Sequence, residues 1–134
     1  METLRVVVAE DHDVMRTILV TVLKSEFQVI DVVDDGEQLL RSAVFNCPDV
    51  IVSNIATPLV DALEVRKQLL SEGIQIPFVF ITILNMARLY YSPQDSSVGY
   101  VYKMDVLNEL NSAVSAVTQR HSYLSKSLRR GLGR

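Results

Sequence analysis

Apolar positions in this chain come in short unbroken runs, separated by stretches with helical spacing. The β-branched run Arg5–Ala9 predicts a strand closed by Glu10-Asp11. Val14 to Lys24 predicts a helix, because Val14, Ile18 and Val22 share a face beside Met15 and Leu19. Phe27–Val33 predicts a second strand, and Asp34-Asp35-Gly36 a turn in which glycine tolerates positive φ. A short helix over Glu37–Phe45 and a third strand over Val50–Ser53 follow, before Thr57-Pro58 breaks the chain.

Further on, Ala62, Val65 and Leu69 share a helical face that stops near Ser71-Glu72-Gly73. Pro77 leads into a fourth strand, Phe78–Ile83, and Tyr100–Lys103 predicts a fifth. Between them, Asn85–Tyr91 has room for two helical turns, and residues 92–97 are loop chemistry interrupted by Pro93. The last helix carries one stripe: Val106, Leu110, Ala113, Val114, Val117 and Leu124. Residues 4–124 show no repeat, low-complexity tract or linker. The pattern predicts an α/β fold, a doubly wound five-stranded parallel sheet with helices on both faces. Residues 1–124 form its domain, and residues 125–134 a basic tail or the start of a linker.

Composition narrows the class. With 134 residues, 49% of them hydrophobic, the chain is sized for one globular domain. No apolar run approaches the ~20 residues of a membrane span, and the start is too quickly acidic for a signal peptide. The single cysteine, Cys47, excludes an intrachain disulfide, so a cytoplasmic location is the expectation. The net charge of −3 is unevenly spread. All sixteen acidic residues precede Thr118, while five of the thirteen basic ones follow it. An acidic body argues against nucleic-acid binding by the domain itself.

In an open parallel sheet the ligand crevice lies outside the carboxyl ends of the strands. That rule selects Glu10 and Asp11, Asn54, Thr82 and Lys103. Carboxylates with water suit Mg²⁺. A lysine and a hydroxyl suit phosphoryl oxygens. Asn54 raises the question, since a carboxylate would be the useful group there.

The segments VVVAEDH, PDVIVSNIATP, FVFIT and GYVYK, in that order, resemble the receiver domain of bacterial two-component response regulators over about residues 4–122. EDH, with YLS at 123–125, is most similar to receivers that precede a helix-turn-helix output domain of the LuxR type. The resemblance implies a CheY-like, flavodoxin-like sheet of strand order 2-1-3-4-5 in a signalling module, not an enzyme. It assigns Mg²⁺ to Glu10 and Asp11, phosphoryl contacts to Thr82 and Lys103, and the switch aromatic to Tyr100. The aspartate that accepts the phosphoryl group would stand at residue 54, where this chain has asparagine.

An amide is uncharged, and its nitrogen lone pair is lent to the carbonyl, so it is no nucleophile toward phosphorus. Removing one carboxylate also weakens a cation site. At an effective dielectric of about 20 and roughly 5 Å, each unit of positive charge loses on the order of 3 kcal/mol of attraction. The expectation is a receiver-like domain that is not phosphorylatable at Asn54, needs no cofactor and binds Mg²⁺ weakly. It would act through a protein partner or homodimer. The face implied is the fourth helix near residues 85–91, the fifth strand and the last helix. Neither membrane nor nucleic acid is expected to contact the domain, with DNA reached only through an output domain.

Each position has a plainer reading as well. Asn54 can bond its own turn, and Thr82 can be an ordinary strand residue. Lys103 can be a surface lysine or can pair with Glu10 or Asp11 and fill the pocket. Tyr100 can be packing, as can Tyr90 or Tyr91. His12 has no second histidine beside it to complete a transition-metal site, and His121 falls in phase with the last helix's stripe. Leu59 and Ala62 stand where receivers usually carry glycine, which would stiffen or close the loop over the site. Met104 follows Lys103 where proline or a polar residue is common. The alternatives are phosphotransfer on Asp11, Asp49 or a deamidated Asn54, and a flavin site, for which no Ser/Thr-rich loop follows the first strand.

Overall fold

The computed structural model describes residues 3–83 and 91–131. Its elements are β1 (Arg5–Ala9), α1 (Asp13–Lys24), β2 (Gln28–Val33), α2 (Gly36–Asn46), β3 (Val50–Asn54), α3 (Ala62–Ser71), β4 (Phe78–Thr82) and β5 (Val98–Tyr102). A 3-10 turn (Lys103–Asp105), α4 (Val106–Thr118), β6 (Tyr123–Leu124) and α5 (Lys126–Gly131) follow. The two helical turns expected over Asn85–Tyr91 fall mostly on residues 84–90, outside the described residues. The expected fifth strand forms two residues earlier, as Val98–Tyr102.

The strands pair in parallel in the order β2-β1-β3-β4-β5-β6. This is the expected doubly wound sheet, corrected from five strands to six. The extra strand is the two-residue β6 along β5, where the sequence pattern continues a helix. The helix has already ended. Arg120 takes a left-handed φ of 65°. Its N–H then donates to the Val117 carbonyl at 3.1 Å, and that of His121 to Ala116 at 2.9 Å, the paired closure of a Schellman motif. Leu124 therefore belongs to β6, and His121 is exposed beyond the helix instead of lying on its stripe.

Alternation along the strands splits the core in two. Val7, Ala9, Ile51, Phe78, Phe80 and Tyr100 pack under α2 and α3, with Leu39, Ala43, Val65 and Leu69. Val6, Val8, Val50, Val52, Val79 and Val101 pack under α1 and α4, with Leu19, Leu23, Leu110, Ala113 and Val114. Each fully buried Val, Leu, Ile or Phe contributes roughly 1.5–3 kcal/mol. Strands buried on both faces explain the unbroken apolar runs.

Caps fix the helices beside the site. Asp35 accepts the Gln38 N–H at 2.8 Å and Asp61 the Glu64 N–H at 2.9 Å, each satisfying an open helical donor. Gly36 opens α2 against the loop after β3. Its N–H donates to the Pro58 carbonyl at 3.0 Å, and a Cβ there would fall 1.7 Å from the Val60 oxygen. Beyond residue 124, where a tail or linker was expected to begin, Ser125 and Leu128 are 0% and 1% exposed. Among the described residues no helix is long and apolar enough to cross a membrane.

Candidate functional site

Sheet register brings the candidate residues to one edge. Ala9 is opposite Ser53, Asn54 opposite Ile81, and Thr82 opposite Tyr102. Glu10, Asn54, Thr82 and Lys103 therefore all emerge at the carboxyl end of the sheet. They line one cavity of about 250 Å³, together with His12, Met15, Ile55, Ala56, Ile81 and Ile83. Parallel strands of equal length create this convergence, which is why residues far apart in sequence share a site.

Glu10 is 2% exposed. Its Oε2 accepts the His12 backbone N–H at 3.2 Å and lies 3.1 Å from His12 Nδ1. Asp11 is exposed and does not line the cavity, though its Oδ1 is 3.4 Å from the same His12 nitrogen. The half-buried Asn54 turns its Oδ1 onto the Ala56 N–H at 3.3 Å. The Thr82 hydroxyl is buried and donates to the Ile83 carbonyl at 3.1 Å.

Lys103 is exposed, and among the described residues it joins no ion pair, so the salt bridge to Glu10 or Asp11 allowed by the sequence is not formed. Tyr100 stands apart from the cavity, 3% exposed, with its ring 5.5 Å from Phe80 and 6.2 Å from Tyr91. Tyr91 thus packs against the core, while Tyr90 lies outside the described residues. Leu59 and Ala62 do not close the site. Leu59 is 74% exposed at a φ of 71°, Ala62 is buried at the start of α3, and neither lines the cavity.

His12 is the residue that sequence reasoning undervalued. Glu10, Asp11 and His12 place ligand atoms within 4.8 Å of one another. The signal was available, since His12 follows the acidic pair at the same strand end. A hard cation such as Mg²⁺ takes oxygen ligands and keeps several waters. The two carboxylates fit it, whereas the imidazole is held by Glu10 and the Asn54 oxygen by its own turn.

A family model for the response regulator receiver domain matches residues 6–115. The chain belongs to the response-regulator receiver family. This receiver is 30% identical over 131 residues to the response regulator GacA of Pseudomonas viridiflava, covering 93% of this chain and 60% of that protein. It is 31% identical over 124 residues to BvgA of Bordetella pertussis, described as a putative positive transcription regulator of virulence factors, covering 89% and 58%. The receiver thus spans about three fifths of the length of these curated relatives. The fold matches that of the non-phosphorylated receiver domain of RcsB from Escherichia coli, with a TM-score of 0.79 at 16% identity, covering 93% of this chain and all of that one. It also matches a LuxR-family response regulator from Aurantimonas, with a TM-score of 0.81 at 18% identity, covering 98% and 96%. These two likenesses establish the fold alone. Family, fold and relatives agree on a two-component response-regulator receiver.

Proposed function

We propose that this receiver takes up no phosphoryl group at residue 54 and signals through protein contacts. The observation that carries the reading is the position of Asn54, which ends β3 inside the cavity shared with Glu10, Thr82 and Lys103. A carboxylate there would present an anionic nucleophile to a phosphoryl donor. The amide presents a neutral group with its oxygen engaged by Ala56, and it has no anionic carboxylate oxygen from which an acyl phosphate could form.

Mg²⁺, if bound, would be held by Glu10 and Asp11 and would supply positive charge beside Asn54. With one carboxylate fewer, the binding is weak. Lys103 and Thr82 keep the positions of phosphoryl contacts without a phosphoryl group to hold. The buried ring of Tyr100 supports a packing role over a switch.

The surface supports protein contacts. Val14, Met104 and Leu107 are 75%, 76% and 73% exposed, and they line one groove between α1 and α4. Apolar side chains gathered at one surface site mark an interaction face more often than chance exposure. This groove shares α4 with the expected face, whose residues 85–90 lie outside the described residues. A relative of 17% identity, RcsB, has been solved as dimers bound to DNA. Dimerisation, a LuxR-type output domain that reaches DNA and a cytoplasmic setting complete the proposal.

Incubation with acetyl phosphate and Mg²⁺, read by intact mass, tests the reading, and the expected result is no phosphoryl adduct. A second reading places phosphotransfer on Asp11, supported by its exposed carboxylate beside Glu10. Asp49 is a poorer acceptor, since it accepts the Arg5 N–H at 2.7 Å at the opposite edge of the sheet. An adduct mapped to Asp11 would establish the second reading and refute the first.

A further inference from the structure

Lys103 and Asp105 occupy the same 3-10 turn, which runs directly into α4. Lys103 lines the cavity. Asp105 holds the end of the chain: its carboxylate accepts the Ser127 N–H at 3.0 Å and the Ser127 hydroxyl at 2.8 Å. One helical turn later, Glu109 accepts the Tyr123 hydroxyl at 2.6 Å and the Lys126 N–H at 3.0 Å. The two carboxylates thus satisfy open N–H groups in the first turn of α5 and put negative charge at its positive end.

Residues 123–131 are fastened to β5 as well. The Ser125 N–H donates to the Tyr100 carbonyl at 3.0 Å, and the Ser125 hydroxyl accepts the Tyr102 N–H at 2.9 Å. Leu128 packs into the apolar cluster that contains Tyr100. A six-residue helix is not stable alone, so the order of α5 depends on these contacts. Its strongest polar anchors, Asp105 and Glu109, lie on the stretch that begins at the cavity lysine.

We propose that residues 103–109 are a coupling element: drawing the Lys103 ammonium into the cavity shifts Asp105 and frees residues 123–131. Only Met104 separates the two residues within the turn, and hydrogen bonds near 3 Å weaken steeply with an ångström of displacement. The loosened segment would set the freedom of whatever chain follows it. The proposal rests on the cavity being the receiver's input site, and not on Asn54 being inert.

Two measurements without any phosphoryl donor test it: hydrogen exchange at the Lys126 and Ser127 amides, and tryptic cleavage after Lys126, Arg129 and Arg130. Asp105→Asn weakens the anchor directly and is expected to accelerate both by about tenfold. Ser127→Ala, which leaves the turn intact, should act in the same direction. Asn54→Asp puts a carboxylate into the cavity near Lys103 and is expected to raise exchange at Ser127 at least threefold. Adding Lys103→Met should cancel that rise. The proposal is overturned if Asp105→Asn and Ser127→Ala leave the segment protected, or if Asn54→Asp does not loosen it. It is equally overturned if the loosening survives Lys103→Met. Phosphoryl uptake is read separately by mass, so either result stands without the other.

Discussion

The Asn54 side-chain oxygen accepts the Ala56 backbone N–H at 3.3 Å, closing the turn that follows β3. The bond gives the amide a structural use, because Asn54 and Ala56 both line the cavity. Asn54→Ala removes the acceptor, and the expected cost is about 0.5–1.5 kcal/mol of stability, measured by urea unfolding. Asn54→Asp keeps an oxygen in place and is expected to leave the turn intact.

Tyr123 resists ionisation in the folded chain. Burial raises its proton affinity first, and the Glu109 carboxylate that accepts its O–H adds to the effect, so it titrates well above the ordinary tyrosine value of 10.0. Its contribution to stability is complete below pH 10.0 and is lost as pH rises toward the folded value, because the unfolded chain releases that proton earlier. Unfolding followed across this alkaline range should show a decline that Tyr123→Phe removes.

On the acid side, Asp105 is the corresponding group. Burial pushes its carboxyl up, but the hydrogen bonds from Ser125 and Ser127 and the charge of Arg129 together outweigh burial and hold it below the ordinary value. The stabilisation it supplies is present above 3.8 and falls away as pH drops below that value. Protection of the Ser127 amide, taken relative to its intrinsic exchange rate at each pH, is expected to fall there before the core opens.

Cys47, Leu59 and Arg120 adopt left-handed backbone, with φ of 46°, 71° and 65°. For a residue with a Cβ this costs roughly 1–2 kcal/mol, part of which glycine gives back in entropy. Arg120→Gly and Leu59→Gly, both at exposed positions, are each expected to stabilise the fold by about 0.5–1 kcal/mol in thermal unfolding. Gly36→Ala should do the opposite, costing roughly 1–3 kcal/mol, since its Cβ meets the Val60 oxygen.

Arg120 shows why part of the fold was illegible in the sequence. Glycine announces a helix stop, and at Arg120 the stop carries no glycine. Leu124 lies seven positions after Val117, which is in phase with the stripe, so the helix reads as continuous into what is β6. The cavity was legible because parallel strands deliver their last residues to one edge, and Glu10, Asn54, Thr82 and Lys103 each end or follow a strand. The engagement of Asn54 by Ala56, the absence of an ion pair from Lys103 to any described residue and the capture of α5 by Asp105 depend on side-chain directions that spacing does not encode.

The central claim is that residue 54, as an amide, cannot carry the phosphoryl group. Its most direct test is intact mass of the natural chain and of Asn54→Asp, side by side, after acetyl phosphate and Mg²⁺. One phosphoryl group is expected on Asn54→Asp and none on the natural chain. A stoichiometric adduct on the natural chain, at residue 54 or at any carboxylate, would contradict that expectation.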